Sequence, residues 1–449
     1  MKKYLIVLAV GSLGMLKAQT STTVQMSLKQ AIESAESNNI DVRKSSTDVS
    51  MAMETVKQTA AIGLPQISAT AGYNQFITIP GQYVKNFTGQ GPEYIKLVFS
   101  QKISSTVGIS ANQLIFDGSY LVALKATKDF LNLSTLLNAK TKNDVQFNVA
   151  KAYLMVATTE KNITVVDANI AVLEKSLKDL KEVNKEGFAE KLDVQRLSLA
   201  LGNLNIQKEK LSNAVSMLKN VLKLQMGMDI NTNLELTDNI EQINDQIKMS
   251  EVEKNKFDSK LRIEYQILDQ SIRLGNLDKK RYQMGYLPRL VGFYQLQGST
   301  NRPEFNFFQS NLPINNSWVP SQLFGLQLQL TIFDGFAGAS RIRETQLKIN
   351  KAKLDLENFN NAANMQFNNA QKSYETQLKQ AEIQKENLDL AKQIFETATT
   401  KYNEGVGSSL EVMQADTDLK TSQNNYLSAV YDLVMAKIDY YQSSGKTIK

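Results

Sequence analysis

The stretch TVGISANQLIFDGSYLVALKATKDF, residues 106–130, joins two different periodicities. Up to Phe116, mostly apolar residues alternate with polar ones, which is the pattern of a β-strand with one apolar face. From Ser119 to Glu186 the chain contains neither glycine nor proline. Because these two residues interrupt helix interiors, the run predicts one continuous helix of roughly 100 Å. The chain therefore combines strands with helices much longer than those of ordinary globular domains.

The same succession occurs a second time along the chain. LPQ at Leu64 matches LPR at Leu287, IFDG at Ile115 matches IFDG at Ile332, and EGFAEKLDV at Glu186 matches EGVGSSLEV at Glu404. The residue numbers of these three pairs differ by 223, 217 and 218, and a second run without glycine or proline covers residues 339–404. The duplication predicts two structural repeats, each with a helix, a strand hairpin, a very long helix, a turn and a helix. The predicted parts are repeats 19–248 and 249–449, hairpins at about 64–117 and 287–334, and turns near 187 and 405.

Apolar residues in both long runs recur at alternating spacings of three and four, which predicts coiled-coil seams. The seam residues are Ile163, Val166, Ile170, Leu173, Leu177 and Leu180 in the first run, and Leu388, Ala391, Phe395, Ala398 and Tyr402 in the second. Lys, Asp, Glu, Gln and Asn occupy many of the other positions, so much of each helix surface is expected to face water.

The strands carry the alternation of membrane-spanning segments. LPQISATAGYNQFI (64–77) and FGLQLQLTIF (324–333) each give about ten residues with one apolar and one polar face. A pair of ordinary hairpins with one solvated face is the alternative. Four strands cannot close a barrel, because single-chain bacterial barrels begin at eight, and lipid does not tolerate open sheet edges. The prediction is an α+β chain whose strands contribute to a transmembrane β-barrel shared by several chains.

Composition argues against most enzyme classes. The 449 residues include no histidine and no cysteine, which excludes the commonest general base, thiolate nucleophiles, disulfides and His/Cys metal sites. We expect no catalytic activity, cofactor or metal. Residues 1–18, MKKYLIVLAVGSLGMLKA, read as a secretory signal peptide, which predicts export. Without the leader's three lysines the net charge falls from +6 to +3, so a nucleic-acid partner is not expected.

The duplicated order, the LPQ/LPR and IFDG pairs and the two turn sequences together resemble the TolC-type outer-membrane efflux proteins. The resemblance covers nearly the whole mature chain. It implies a homotrimer in the outer membrane, with a twelve-stranded barrel and an α-helical coiled-coil barrel in the periplasm. It also implies a channel for efflux or type I secretion of drugs, small molecules or proteins. The implied partners are a periplasmic adaptor and an inner-membrane pump driven by protons or by ATP.

The two turns carry the candidate functional residues. Glycines allow each helix to stop and reverse, and a leucine then resumes the apolar face. By resemblance, the turns are periplasmic tips that close the tunnel and meet the adaptor, and Tyr402, Asp193 and Glu411 belong to the entrance. Gly407 and Gln414 depart from the family pattern, where an arginine and a second acidic residue are expected. The implied docking residues are Gly187, Leu192, Gly405, Gly407 and Leu410.

The strongest rival interpretation is a secreted trimeric coiled-coil adhesin or structural protein. It explains the signal peptide and the seams of the long helices. It does not explain two spaced strand hairpins inside a duplicated unit.

Overall fold

The structure is a computed structural model that describes residues 23–187, 190–247, 257–307, 314 and 317–447. The predicted signal peptide lies outside the described residues. The chain is of the α+β class, as the sequence predicts. Its elements are β1 (Val24–Met26), α1 (Leu28–Asn38), α2 (Ile40–Ala61), β2 (Gln66–Gln75), β3 (Gln82–Lys85), β4 (Tyr94–Leu97), β5 (Ile103–Phe116), α3 (Gly118–Lys185), α4 (Lys191–Met226), β6 (Leu234–Leu236), α5 (Ile240–Gln246), α6 (Ile263–Met284), β7 (Arg289–Arg302), β8 (Val319–Gln329), α7 (Ala337–Asn403) and α8 (Ser409–Ser444).

The two longest helices, α3 and α7, confirm the prediction from the two runs without glycine or proline. They contain 68 and 67 residues, and each is followed by a helix of 36 residues. Seam residues of both helices are buried, namely Val166, Ile170, Leu173, Leu177, Leu388 and Ala391. Among the described residues, no helix combines the length and the apolar character needed to cross a lipid bilayer.

The first helical segment is divided at Asn39, although the sequence predicted one helix. Ser27 followed by Gln30 predicts a capping box at the start of this helix, and the structure confirms it. At Asn39 the Oδ1 atom accepts hydrogen bonds from the backbone N–H groups of Asp41 at 2.8 Å and Val42 at 3.2 Å. The side chain therefore caps α2 and competes with continuous helical bonding.

The chain forms two compact units, each assembled from separate segments. The first unit contains the described residues up to Lys44, Lys140–Ser259 and those from Ala363 onward. The second contains Ser45–Ala139 and Lys260–Ala362. Each unit takes segments from both predicted repeats, because α3 and α7 each belong partly to one unit and partly to the other. The repeat boundary at residues 248/249 stays a prediction.

The first unit contains a hydrophobic core centred on Tyr153, whose side chain is fully buried. Its hydroxyl donates to the carbonyl of Met26 at 2.9 Å and accepts from the N–H of Asp238 at 3.2 Å. These bonds join α3 to the end of β1 and to the segment that follows β6. Burial raises the pKa of this hydroxyl to about 12, because the interior disfavours the phenolate.

Replacing Tyr153 by Phe should destabilise the first unit. The two backbone groups lose their partner inside the protein, which costs about 1–3 kcal/mol. The pH dependence should also change. The pKa in the folded state exceeds the unfolded value, so the tyrosine contributes stability up to pH 10 that is lost as pH rises toward 12. Thermal unfolding followed by circular dichroism at pH 7 and pH 11 measures both effects; an unchanged midpoint at pH 7 would contradict the prediction.

The second unit contains a four-stranded antiparallel sheet in the order β2-β5-β7-β8. Residues predicted to be apolar share one face, because Ala69 lies opposite Ile109, and Ile109 lies opposite Leu296. On the other face Thr70 lies opposite Gly108, and Gly108 lies opposite Gln297. The sequence pattern therefore predicted correctly that the sheet has one apolar face and one polar face. Strands β2 and β8 form the two edges of this sheet.

The segment between β2 and β5 contains a second strand hairpin. Strands β3 and β4 pair antiparallel, with Gln82 opposite Leu97 at one end and Lys85 opposite Tyr94 at the other. Between them, Gly89 and Gly91 adopt positive φ angles of 72° and 98°. The four-residue strands are too short to show a clear alternation in sequence, so the pattern did not reveal them.

Candidate functional site

Two helix reversals in the first unit carry the candidate functional residues. The first tip is defined as residues 186–193, between α3 and α4, and the second tip as residues 404–411, between α7 and α8. The two tips are equivalent in the duplication, since EGFAEKLDV begins at Glu186 and EGVGSSLEV at Glu404. Residues 188 and 189 of the first tip lie outside the described part of the chain.

Both tips reverse at a glycine in the left-handed conformation. Gly187 has φ 81° and Gly405 has φ 77°. In the second tip the N–H of Gly405 donates to the carbonyl of Tyr402, and that of Val406 donates to the carbonyl of Lys401, both at 3.0 Å. These two bonds form a Schellman motif, which closes a helix end. The helical hairpins predicted at these positions are confirmed.

Gly407 has little room for a side chain. A Cβ atom at this position would lie 3.0 Å from the backbone nitrogen of Tyr402 and 3.1 Å from the backbone carbon of Lys401. By contrast, nothing lies within 4 Å of a Cβ placed on Gly187 or Gly405. The three glycines are therefore required for different reasons: two for their backbone conformation and one for space.

Apolar side chains are exposed at both tips. Leu192 and Leu410, which are equivalent in the repeats, are 48% and 67% exposed, and Val406 is 76% exposed. Exposed apolar side chains of this kind leave water when another helix or protein covers them. Each tip therefore carries its own exposed apolar patch.

The acidic residues of the two tips differ in their neighbours. Asp193 and Glu411 both occupy the third position of their helices, α4 and α8. Asp193 forms an ion pair with Arg196 at 3.7 Å. The residue equivalent to Arg196 is Gln414, and among the described residues no ion pair involves Glu411. The carboxylate is therefore balanced locally at the first tip and unbalanced at the second.

A groove between α7 and α8 adjoins the second tip. Lys401, Glu411, Gln414 and Asp418 line it together with apolar residues. The Gln414 side-chain amide donates to Asp418 Oδ1 at 3.0 Å. Asp418 was missed at the level of sequence, although the spacing 411, 414 and 418 places these residues on one helix face. The groove beside the second tip is thus lined by two carboxylates, those of Glu411 and Asp418.

Tyr402 and Asp193 are not joined by a hydrogen bond among the described residues. Tyr402 is 42% exposed on the last turn of α7, and within the described part of the chain its hydroxyl has no hydrogen-bond partner. Asp193 is on α4, with its side chain 23% exposed beside Arg196. A bond between these two residues stays a prediction. In the part of the chain that the structure describes, no cluster of three or more acidic residues is arranged to hold a metal ion.

Residues 286–446 match the family model described as Outer membrane efflux protein. They span strands β7 and β8 and helices α7 and α8. This segment, about a third of the chain, is similar to that family. The similarity to family members also extends beyond the matched residues. The chain is 22% identical to Outer membrane protein TolC of Vibrio cholerae over 460 residues, covering 99% of this chain and 96% of that protein.

Solved structures of outer-membrane channels share the fold. The outer membrane protein VceC of Vibrio cholerae is 13% identical with a TM-score of 0.69, covering 94% of this chain and 97% of that one. The outer membrane channel CmeC of Campylobacter jejuni is 14% identical with a TM-score of 0.73, covering 93% and 85%. The open state of the MtrE outer membrane channel of Neisseria gonorrhoeae is 13% identical with a TM-score of 0.70, covering 94% and 89%.

Proposed function

We propose that this protein is the outer-membrane channel of a tripartite efflux or type I secretion system. It provides an exit duct across the periplasm for drugs, small molecules or proteins. The observation that carries this function is the four-stranded sheet with one apolar face, one polar face and two open edges, in a chain similar to the outer membrane efflux protein family. The apolar face meets lipid, and the polar face lines a water-filled passage.

Three copies of the chain form the channel. The edge strands β2 and β8 run in opposite directions, because each successive pair in the sheet is antiparallel. The β8 edge of one copy therefore meets the β2 edge of the next in antiparallel orientation, and this pairing repeats around a closed ring. Three copies give twelve strands, above the minimum of eight for a bacterial barrel.

The tips dock on a periplasmic adaptor that connects the channel to an inner-membrane pump. Exposed Leu192, Val406 and Leu410 supply the apolar contacts. Glu411 and Asp418 supply charge beside them, on the groove between α7 and α8. A surface that combines apolar residues with an unbalanced charge favours a partner with matching apolar and basic groups.

Membrane fractionation and native mass spectrometry test the channel function together. The mature chain should fractionate with the outer membrane and require detergent for extraction. In detergent it should have the mass of three chains, and in planar bilayers it should conduct ions. A protein that stays soluble without detergent would instead support the adhesin interpretation. A stable monomer with a closed barrel would contradict the shared barrel.

The second tip should control ion flow at the entrance. We expect Tyr402 to donate to Asp193 in the closed entrance, a charge-assisted bond worth about 1.5–3 kcal/mol where water is scarce. Replacing Tyr402 by Phe should therefore raise the open conductance. Three converging Glu411 carboxylates attract cations, so Glu411→Gln should weaken cation selectivity. Planar-bilayer conductance and reversal potentials measure both changes, with Asp41→Asn on exposed α2 as the matched charge control. Wild-type behaviour of both tip variants would contradict this entrance.

A further inference from the structure

The two hairpins of the sheet have the same register under the duplication. In the first hairpin Gln66 of β2 lies opposite Asn112 of β5. With the offset of 223 between LPQ and LPR, Gln66 corresponds to Arg289. With the offset of 217 between the IFDG segments, Asn112 corresponds to Gln329. Arg289 and Gln329 lie opposite each other in the second hairpin. The duplication therefore holds at the level of individual strand pairs.

The pairing of β5 with β7 is the junction between the two hairpins within one chain. There Asn112 lies opposite Phe293. By the same offsets, Asn112 corresponds to Gln329 on β8, at one edge of the sheet, and Phe293 corresponds to Thr70 on β2, at the other edge. In a closed ring of copies, β8 of one chain would pair with β2 of the next. Under the duplication, this pairing corresponds to the pairing of β5 with β7 within one chain.

We infer that β8 of one copy pairs antiparallel with β2 of the next copy in the register that places Gln329 opposite Thr70. This inference rests on the proposed shared barrel and specifies how its chains join. The same register places Leu328 opposite Ala71 and Leu326 opposite Tyr73 of the next copy. The occupant of each open edge is thus a second copy of this chain.

The faces of the sheet support this register independently of the offsets. Gln329 and Thr70 both belong to the polar face, whereas Leu328 and Ala71 both belong to the apolar face. A slip of one residue would place polar side chains of β8 in line with apolar side chains of β2. The inferred register keeps both faces continuous from one copy to the next.

The pairing of β8 with β2 between copies has one charged residue fewer than the pairing of β5 with β7 within the chain. Within the chain, the Arg289 side chain lies 3.7 Å from the Asp117 carboxylate, where β7 begins and β5 ends. The equivalents of these residues are Gln66 and Asp334. The register therefore places the neutral amide of Gln66 near Asp334 of the adjacent copy. Charged and neutral junctions alternate around the barrel.

Cysteine cross-linking tests the register directly, because the native chain contains no cysteine. The test variant is Thr70→Cys with Gln329→Cys. Two matched controls share one cysteine with it and are displaced by two residues in opposite directions: Ser68→Cys with Gln329→Cys, and Thr70→Cys with Thr331→Cys. Residues directly opposite have Cα atoms about 4.5–5.5 Å apart, within disulfide range, whereas displaced pairs are about 7–8 Å apart.

Each variant is oxidised in isolated outer membranes, and cross-linked dimers and trimers are quantified on non-reducing gels. The test variant should cross-link at least about fivefold more than either control, because only its cysteines meet the distance requirement. More cross-linking in one control would overturn the register and leave the shared barrel intact. No cross-linking in any of the three would also overturn the register, and a mass of one chain in detergent would overturn the shared barrel itself.

Discussion

Replacing Gly405 or Gly187 by valine should reduce export at least about tenfold while the channel still assembles in the outer membrane. Both glycines have positive φ angles, in which a β-branched residue is strained by about 1–2 kcal/mol. The strain is confined to tips whose neighbouring apolar side chains are exposed, so it changes the docking surface without disturbing the buried core. Gly407→Trp should have the same effect, because its side chain would press on the last turn of α7.

Gly89→Val provides the matched control for strain. Gly89 also has a positive φ angle, 72°, and nothing lies within 4 Å of a Cβ placed on it. It belongs to the hairpin between β3 and β4, away from the tips in sequence and in a different unit. Export is measured as dye accumulation in cells whose own copy of the gene is deleted. Full export by the three tip variants, or equal loss in Gly89→Val, would exclude the tips from docking.

Replacing Gly227 by alanine should strongly destabilise the first unit. Gly227 ends α4 with φ 68°, and a Cβ atom there would lie 2.3 Å from the backbone oxygen of Asn38. Left-handed strain of about 1–2 kcal/mol adds to an overpacking cost of about 1–3 kcal/mol. Because the clash is with backbone at the junction of α1 and α2, no side chain can move to relieve it.

Gly202→Ala is the matched control on the same helix. Gly202 lies inside α4, and nothing lies within 4 Å of a Cβ placed on it. Alanine there should stabilise the helix by about 0.5–1 kcal/mol. The midpoint of thermal loss of the helical circular dichroism signal should fall for Gly227→Ala and stay level or rise for Gly202→Ala. Equal midpoints would show that the close approach at Gly227 is not required.

The long helices, their reversals and the two faces of the sheet could be predicted because each depends on local periodicity or on glycine and proline. The absence of glycine and proline from Ser119 to Glu186 predicted both ends of α3 to within one residue. The duplication supported these predictions, because each pattern occurs once in each repeat. The capping box at Ser27 is equally local and was predicted correctly.

Features that depend on distant contacts could not be predicted in the same way. The break at Asn39 carries no glycine or proline, and its side-chain amide donates to the carbonyl of Gln225 at 2.7 Å, a contact between segments far apart in sequence. The described partner of Asp193 is Arg196, one turn along the same helix, and a bond between Asp193 and Tyr402 stays a prediction.

In the proposed three-chain barrel, the two open sheet edges make the abundance of the channel depend steeply on expression. A chain whose two edge strands complete their pairing on other chains gains part of its stability by mass action. When assembly of three chains is limiting, the amount of channel rises with the third power of the free chain concentration. Halving the free chain concentration then lowers the assembled channel roughly eightfold. The cell can therefore adjust the number of exit ducts far more than in proportion to synthesis of the chain.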